Sequence, residues 1–428
     1  MKYFNTVILP ATITTLFFSC NSGQKFQQKL TLSNNSKIDL KDKAVAIERD
    51  SLTARAVNNL YPLIIAENGD TIASQLDDLN SDNKWDQLFF VVDLPAMSSK
   101  TLTLNWISTK PEYTIRTSVR FGKRSSEDTP VVPKTSDTLM ANQVHKALGY
   151  QPYQTDGPSW ENDKVGFRHY FDGRNSNDLF GKKAPFMSPE NVGINAEGAV
   201  EDNYHVMADW GRDILSVGNS VGIGGFGLLI GDSLARLGIT NDDSVNNIEE
   251  SVFRIVSEGP VHSVMEYNYN NWHAGNRLYH ADEITSIWPG MYAYNNKVKI
   301  SGLQGDETLI VGLVNSFTDH PLSEMTIDDK YVILYTHDKQ TYDKVWYLGL
   351  ALILPKDSYV GFGEAPDKGP ISKTFYGKLK IEDNVPVDYF AVGAWEIADP
   401  GFADSTYFKN YVENLAWQLA TNVEIIIE

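Results

Sequence analysis

Apolar positions along this chain fall mostly in short runs with a period of two, the spacing of strands with one buried face. Leu63-Ile64-Ile65, Leu88-Phe89-Phe90-Val91-Val92, Thr101 to Trp106 and Thr114 to Arg120 are β-branched or alternating stretches, each bounded by Gly, Asn, Asp or Pro. They predict a β-sandwich region over residues 27–124. From 125 to 139 the chain turns to Ser, Glu, Asp, Thr and Pro, which reads as a linker or long loop. The strand pattern then resumes, with Val252 to Val256, Tyr331 to Tyr335 and Trp346 to Ile353 as clear examples, and predicts a second, larger β domain over 140–428. Helical spacing is clear once, near the end. Ser405 is placed to cap that helix, and Phe408, Tyr411, Val412, Leu415 and Leu419 share one face. The fold class expected is therefore all-β with a C-terminal helix, without repeats at solenoid or propeller periods.

The first residues do not fit this body. An apolar stretch from Val7 to Phe18, broken by Pro10 and several Thr, leads into Ser19-Cys20-Asn21-Ser22-Gly23, which reads as a signal peptide over residues 1–20. It is too short and interrupted to span a bilayer as a helix. Leu16-Phe17-Phe18-Ser19-Cys20 resembles a lipobox, with Phe18 bulkier than usual at its position. Cys20 is the single cysteine of the sequence, so disulfides are excluded and the thiol stands where a lipid anchor would attach. Because no acidic cluster follows Cys20, the expectation is an exported outer-membrane lipoprotein facing the periplasm.

Charge narrows the partners. The formal net charge is −18, and loss of residues 1–19 removes Lys2 and no acid. Such a surface repels nucleic acid and anionic lipid. An anionic small substrate is admitted only where basic side chains converge. Nothing in the pattern fixes the oligomeric state.

Several motifs suggest chemistry and differ in weight. Gly218-Asn219-Ser220-Val221-Gly222 matches a nucleophile elbow, and Gly222 to Gly227 matches a dinucleotide loop. Both chemistries need a helix N-terminus immediately afterwards, whereas Phe226 to Ile230 reads as a strand. A glycine-rich β segment is the better reading. Asp78, Asn80, Asp82 and Asp86 have the alternate spacing of a calcium loop, but Asn83 replaces its glycine and Phe89 its bidentate glutamate. A structural calcium and a self-satisfied Asx-rich turn fit equally well. No paired His or Cys shows zinc spacing. No cofactor is required by any motif.

The densest polar region runs from Phe167 to Lys183 and again from Tyr204 to Leu215. If Arg168 to Arg174 is extended, Arg168, Tyr170, Asp172 and Arg174 share one face and His169 and Phe171 the other. That face is either a polar site or an exposed row of alternating charges. His205 is a candidate for proton transfer, or simply a hydrogen-bonded histidine. Trp210, Trp272 and Trp395 could stack on sugar rings, or pack in the core.

The Arg168 to Lys182 stretch, the Tyr204-His205 and Trp210-Gly211 segment, and the glycine-rich run after Ile214 resemble an uncharacterised-domain family of lipoproteins from polysaccharide-utilisation systems. The resemblance covers most of the chain after the signal, from the Asp78 loop to the Trp395 region. It implies a large galactose-mutarotase-like supersandwich. It also implies an activity, because a member of that family is an oligosaccharide dehydratase acting in ulvan breakdown. No residue-level catalytic assignment comes with it.

The residues suit that chemistry. Removing water from a non-reducing-end uronate, glucuronate or iduronate, takes the C5 proton, expels the C4 hydroxyl and leaves a 4,5-unsaturated sugar. A cation paired with the carboxylate offsets the charge that develops there, and a His or Tyr can move the protons. Tyr170 and His205 are the expected acid–base groups, with Arg174 as the catalytic cation. Arg168, Asn175, Lys182, Trp210 and Trp272 are the expected substrate contacts. Arg168, Tyr170, Arg174 and His205 should then meet in one cleft, with Tyr204-His205 on a neighbouring strand. A polysaccharide lyase would use similar residues, and a glycoside hydrolase would need two carboxylates, such as Asp172 with Asp209 or Asp213. A glycan-binding lipoprotein would need only the aromatics and arginines.

Overall fold

A computed structural model describes residues 27–53, 59–144 and 150–428. The signal segment with Cys20 lies outside the described residues. Strand is the dominant element, and among the described residues the named strands pair antiparallel, with one isolated parallel bridge between Asn177 and Gly222, which fits the all-β expectation. No described helix is long and apolar enough to cross a membrane.

Two sheets build the N-terminal part. One has five strands, in the order Glu424–Ile427, Gln27–Asn34, Ser98–Ile107, Tyr61–Ala66 and Thr71–Ile72, and the other has three, Leu40–Glu48, Gln87–Leu94 and Ser74–Asp77. Alternating Leu30, Leu32, Leu102 and Leu104 meet Val45, Ile47, Phe90 and Val92 in a separate core. The last strand of the chain thus returns to pair with the first described one, Leu30 opposite Ile427. Composition could not show this, because the partners are separated by nearly the whole sequence.

The expected 125–139 linker is also corrected. Val132–Pro133 pairs with Gly122–Lys123, and Ser136–Met140 is the edge of a nine-stranded sheet, paired with Ile248–Glu258. Its exposed edge position explains the polar composition. Nor does the N-terminal sandwich extend to 124, since Thr117–Arg120 pairs with Ser159–Asn162 in the larger part.

In that larger part the nine-stranded sheet faces two five-stranded sheets across one core, a β-sandwich in which Phe167, Leu179 and Phe226 pack with Phe253, Tyr267 and Tyr294. The helix α1 (Ser405–Ala420) lies against the strands Tyr331–Asp338 and Leu348–Pro355 through Phe408, Val412, Leu415 and Ala416. Its cap is Asp404 rather than Ser405, accepting from the Tyr407 amide at 2.8 Å.

Polar bridges join the two parts. Arg116 holds Asp42 of the N-terminal sandwich at 2.7 Å and Asp163 at 2.6 Å. Buried His262 meets Asp77 at 2.8 Å, and Gln75 accepts from the Val261 and His262 amides.

Candidate functional site

One of the five-stranded sheets carries the polar region. Its order is Gly211–Asp213, Asn177–Lys182, Val165–His169, Ser159–Asn162 and Thr117–Arg120. The period of two sends Trp160, Phe167 and Leu179 into the main core. Register then aligns Ser159 with Arg168, Arg168 with Asp178, and Phe180 with Asp213 on the opposite face. That face is roofed by residues 183–210, whose Val192, Tyr204 and Trp210 pack on Phe180. A charged layer is therefore sealed between sheet and roof.

Arg168 is its centre. Its Nη2 donates to Asp213 at 2.8 Å, to the Tyr170 hydroxyl at 2.7 Å and to Asp178, while Tyr170 donates to Asp178 at 2.6 Å. The guanidinium lies 4.5 Å from the Tyr170 ring centre and 4.9 Å from that of Tyr204. Two carboxylates against one buried cation leave a negative excess. Burial and the neighbouring Asp178 push the Asp213 carboxyl well above the usual carboxylate range, against the pull of Arg168. Arg168 is sealed from solvent and its Nη2 is taken by two protein carboxylates, while Nε and Nη1 are buried without hydrogen-bond partners, so the expected role in gripping a substrate is corrected to a structural one.

The extended reading of 168–174 also stops early. Strand Val165–His169 ends there, and a turn over 171–174 leads into Asn177–Lys182. His169 still points to the core side, against Asn177 at 2.8 Å. The turn folds Arg174 back over the Tyr170 ring, 3.8 Å from its centre, with Nε and Nη2 on Asp172 at 2.8 and 2.6 Å. Arg174 Nη2 also lies 3.4 Å from Asp156. These side chains open into a cavity of about 340 Å³, walled by Asp156, Asp172, Arg174 and Asp202, with Ile239 and Thr240 opposite.

Asp156 is the residue the sequence reading missed. It sits at φ +60° beside Thr155 at φ +51°, two non-glycine residues in the left-handed region, a cost that functional sites commonly carry. Burial, then Asp172, raise its carboxyl above the usual range, although Arg168 and Arg174 pull the other way. Gln151 donates to it from the cavity wall. In the sequence, Asp156-Gly157 carries only a turn signal.

His205 belongs to a different side of the layer. It lies on a short 3₁₀ turn, Asn203–His205, and not on a strand. Its Nδ1 is 3.6 Å from Asp213, its ring packs on Tyr204 and Tyr342, and it is 48% exposed without lining the cavity. Burial and Arg168 hold its pKa below the ordinary histidine value. Arg168, Tyr170, Arg174 and His205 thus share one network and not one cleft, because Tyr204 stacks beside Arg168 and reaches Asp202 at the cavity wall at 2.7 Å.

The remaining expected contacts are mostly corrected by burial. Lys182 is at the far end of its strand, closed onto Glu161 and the Asn162 carbonyl at 2.7 Å. Trp210 is part of the roof. Trp272 is fully buried, with Nε1 on the Arg236 carbonyl at 2.9 Å, and Trp395 is core. Asn175, at φ +47°, is buried with Oδ1 3.3 Å from His169 Nε2. Asp209 is fully exposed and Asp213 sealed, so neither forms a hydrolase pair with Asp172. Ser220 is buried on Thr374 at 2.8 Å, and Phe226–Ile230 is a strand, as the glycine-rich β reading required.

The Asp78 loop satisfies itself. Asp78 accepts from the Asn83 amide at 2.9 Å, Asn80 from Asp82 at 2.9 Å, Asp82 from Lys84 at 2.8 Å, and Asp86 from Leu79 at 2.7 Å. These contacts are those of an Asx-rich turn that closes on its own backbone. Among the described residues, no three His, Cys, Asp or Glu are grouped to hold a metal ion.

Residues 32–425 match the family described as "Domain of unknown function (DUF4861)", and the chain belongs to it. An uncharacterised protein, P7, of Formosa agariphila is 20% identical over 432 residues, covering 97% of each chain. Among solved structures, an alpha-mannosidase from Enterococcus faecalis V583 aligns with 94% of this chain and 46% of its own, at 11% identity and a TM-score of 0.45. A glycosyl hydrolase family 38 protein from Enterococcus faecalis aligns similarly, at 9% identity and a TM-score of 0.45. The chain spans about half the length of these solved proteins.

Proposed function

We propose that this DUF4861 member is a carbohydrate-active enzyme working by acid–base chemistry in the cavity between Asp156 and Arg174. The observation that carries the reading is their juxtaposition: a carboxyl raised by burial, 3.4 Å from a guanidinium that is 23% exposed and opens into the same cavity. Carbohydrate as the substrate class, export with lipidation at Cys20, and a supersandwich of galactose-mutarotase type rest on the family resemblance of the sequence.

Within that reading the reaction is loss of water from a uronate-capped oligosaccharide of the ulvan type. Bonds to Asp172 and Asp156 engage Nε and Nη2 of Arg174. Nη1 takes no part in them and faces the task of pairing the uronate carboxylate, whose charge grows as C5 loses its proton. Asp156 in its ionised form, made more basic by burial, takes that proton. The C5–H electron pair becomes the C4–C5 double bond, the C4–O bond breaks, and the oxygen leaves as water with the proton that Asp156 returns.

Hydrolysis is the second reading, favoured by one observation. Asp156 and Asp172 flank the same Arg174 nitrogen, and the carboxyl of Asp156 is raised, so two carboxyls stand together in one cavity as in glycosidases. Incubating the chain with uronate-capped oligosaccharides separates them. Loss of one water at constant chain length, with new ultraviolet absorbance, is the expected result. Shorter chains with gained water would establish the hydrolase. An unchanged oligosaccharide would reduce the protein to a binding module.

A further inference from the structure

Beside the acid–base cavity lies a second one of about 520 Å³, and the two share Ile239 and Thr240. Arg236, the last residue of the strand Ser233–Arg236, lines the second cavity while only 3% exposed. Every hydrogen bond of its guanidinium goes to an uncharged oxygen. Nη1 donates to the Asn219 carbonyl at 2.8 Å, and Nη2 to the Arg174 carbonyl at 2.9 Å and to Ser176 Oγ at 2.6 Å. Nε is buried without an acceptor.

The contrast with Arg168 is informative. That equally buried guanidinium also has unmatched nitrogens, but its charge is answered by Asp178 and Asp213, whereas no ion pair of the described residues involves Arg236. A buried cation without a counter-charge is costly. Burial, and then Arg174 nearby, bring its pKa down to about 10 although Asp172 and Asp243 pull upward. Behind the cavity linings two more buried donors lack acceptors, Nδ2 of Asn175 and Nδ2 of Asn246. Asn175 Nδ2 lies against Gly238, and Asn246 Nδ2 against Gly173, so both flank Ile239. Unmatched buried donors are rare, and among these residues Arg236 is the one that lines the second cavity. Arg277, which also lines this cavity, is already neutralised by Asp306 and Glu307.

We infer that the two cavities form one groove for an oligosaccharide, and that the second is a subsite for an oxyanion substituent, carboxylate or sulfate, on the sugar next to the reacting one, with Arg236 as its counter-charge. This rests on the proposed function for the identity of the chain in the groove, but the oxyanion site itself is tested without turnover.

The probe is sodium sulfate, titrated calorimetrically into the full chain at constant ionic strength with chloride as the balancing anion, and free glucuronate in a parallel titration. Val245 lines the second cavity and is 62% exposed, so its charge can be changed without disturbing packing. One saturable site is expected, weakened severalfold in Val245→Glu, strengthened in Val245→Lys, lost in Arg236→Gln and unchanged in Asp156→Asn. Should Arg236→Gln not fold, the Val245 pair decides. Tighter sulfate than glucuronate assigns the subsite to a sulfated sugar, and the reverse order to a uronate. Absence of saturation by both anions, or indifference to the Val245 charge, overturns the inference. A saturable, Val245-sensitive site in a chain that leaves oligosaccharides unchanged would remove the proposed reaction and keep the subsite.

Discussion

Arg168 donates to Asp213 at 2.8 Å, and both side chains are sealed between sheet and roof. The bond joins neighbours brought together by strand register across 45 residues of sequence, since Asn177–Lys182 pairs with Arg168 on one side and with the strand of Asp213 on the other.

Arg168→Met should be strongly destabilising, because it strands the Asp178 and Asp213 carboxyls without a cation. Loss of one partner from a buried pair costs roughly 3–5 kcal/mol. Urea unfolding at neutral pH measures it. A loss within error of zero would mean that the layer is wet and open.

Asp213→Asn should have a pH-dependent effect of defined sign. The folded carboxyl is raised above its unfolded value, so it favours the folded state fully at acidic pH, and that contribution fades as pH rises through the raised value. The asparagine variant should therefore lose least, or gain, relative to wild type at neutral pH, and compare worst near pH 4. Parallel melting curves across pH report the sign, and a difference that does not vary with pH would refute the raised carboxyl.

Asp156→Asn should lower turnover by about 10²–10⁴-fold, the usual contribution of a general acid–base group, with little change in melting temperature. Arg174→Ala should raise KM as well as lower kcat, since pairing with the uronate operates before and during the reaction. His205→Ala should be nearly silent in both, because His205 does not line the cavity. A large kcat loss in His205→Ala with normal Asp156→Asn would move the centre to the other side of Arg168.

Acid should loosen the contact between the two sandwiches. Burial opposes ionisation of Asp77, but hydrogen bonds from His262, Gln87 and Ser257 outweigh it and hold the carboxyl below its ordinary value. A depressed carboxylate contributes stability above its unfolded pKa and loses it as pH falls through the folded one. His262→Phe should flatten that acid limb in a pH series of unfolding curves. An unchanged limb would assign the acid sensitivity elsewhere.

The pattern of period two determined most of the fold class by itself. Strand identity, the late helix and the inward placement of Phe167 and Leu179 follow from side-chain alternation, which is a local property of the backbone. The same alternation put Arg168 and Tyr170 together, and the strand character of Phe226 to Ile230 ruled out the helix-dependent motifs. What the sequence could not decide is which polar face is sealed. Arg168, Lys182 and Trp272 looked available because burial depends on what covers a strand, and the cover here is residues 183–210 or a facing sheet far away in sequence. For the same reason His205 and Arg174 separated and Asp156 joined Arg174. Their positions are set by a left-handed turn, a folded-back arginine and strand register, none of which leaves a periodic trace. Charge compensation is likewise a tertiary property: Arg168 and Arg236 are one residue type in similar strands, and only the fold gives two carboxylates to the first and leaves the second with carbonyls.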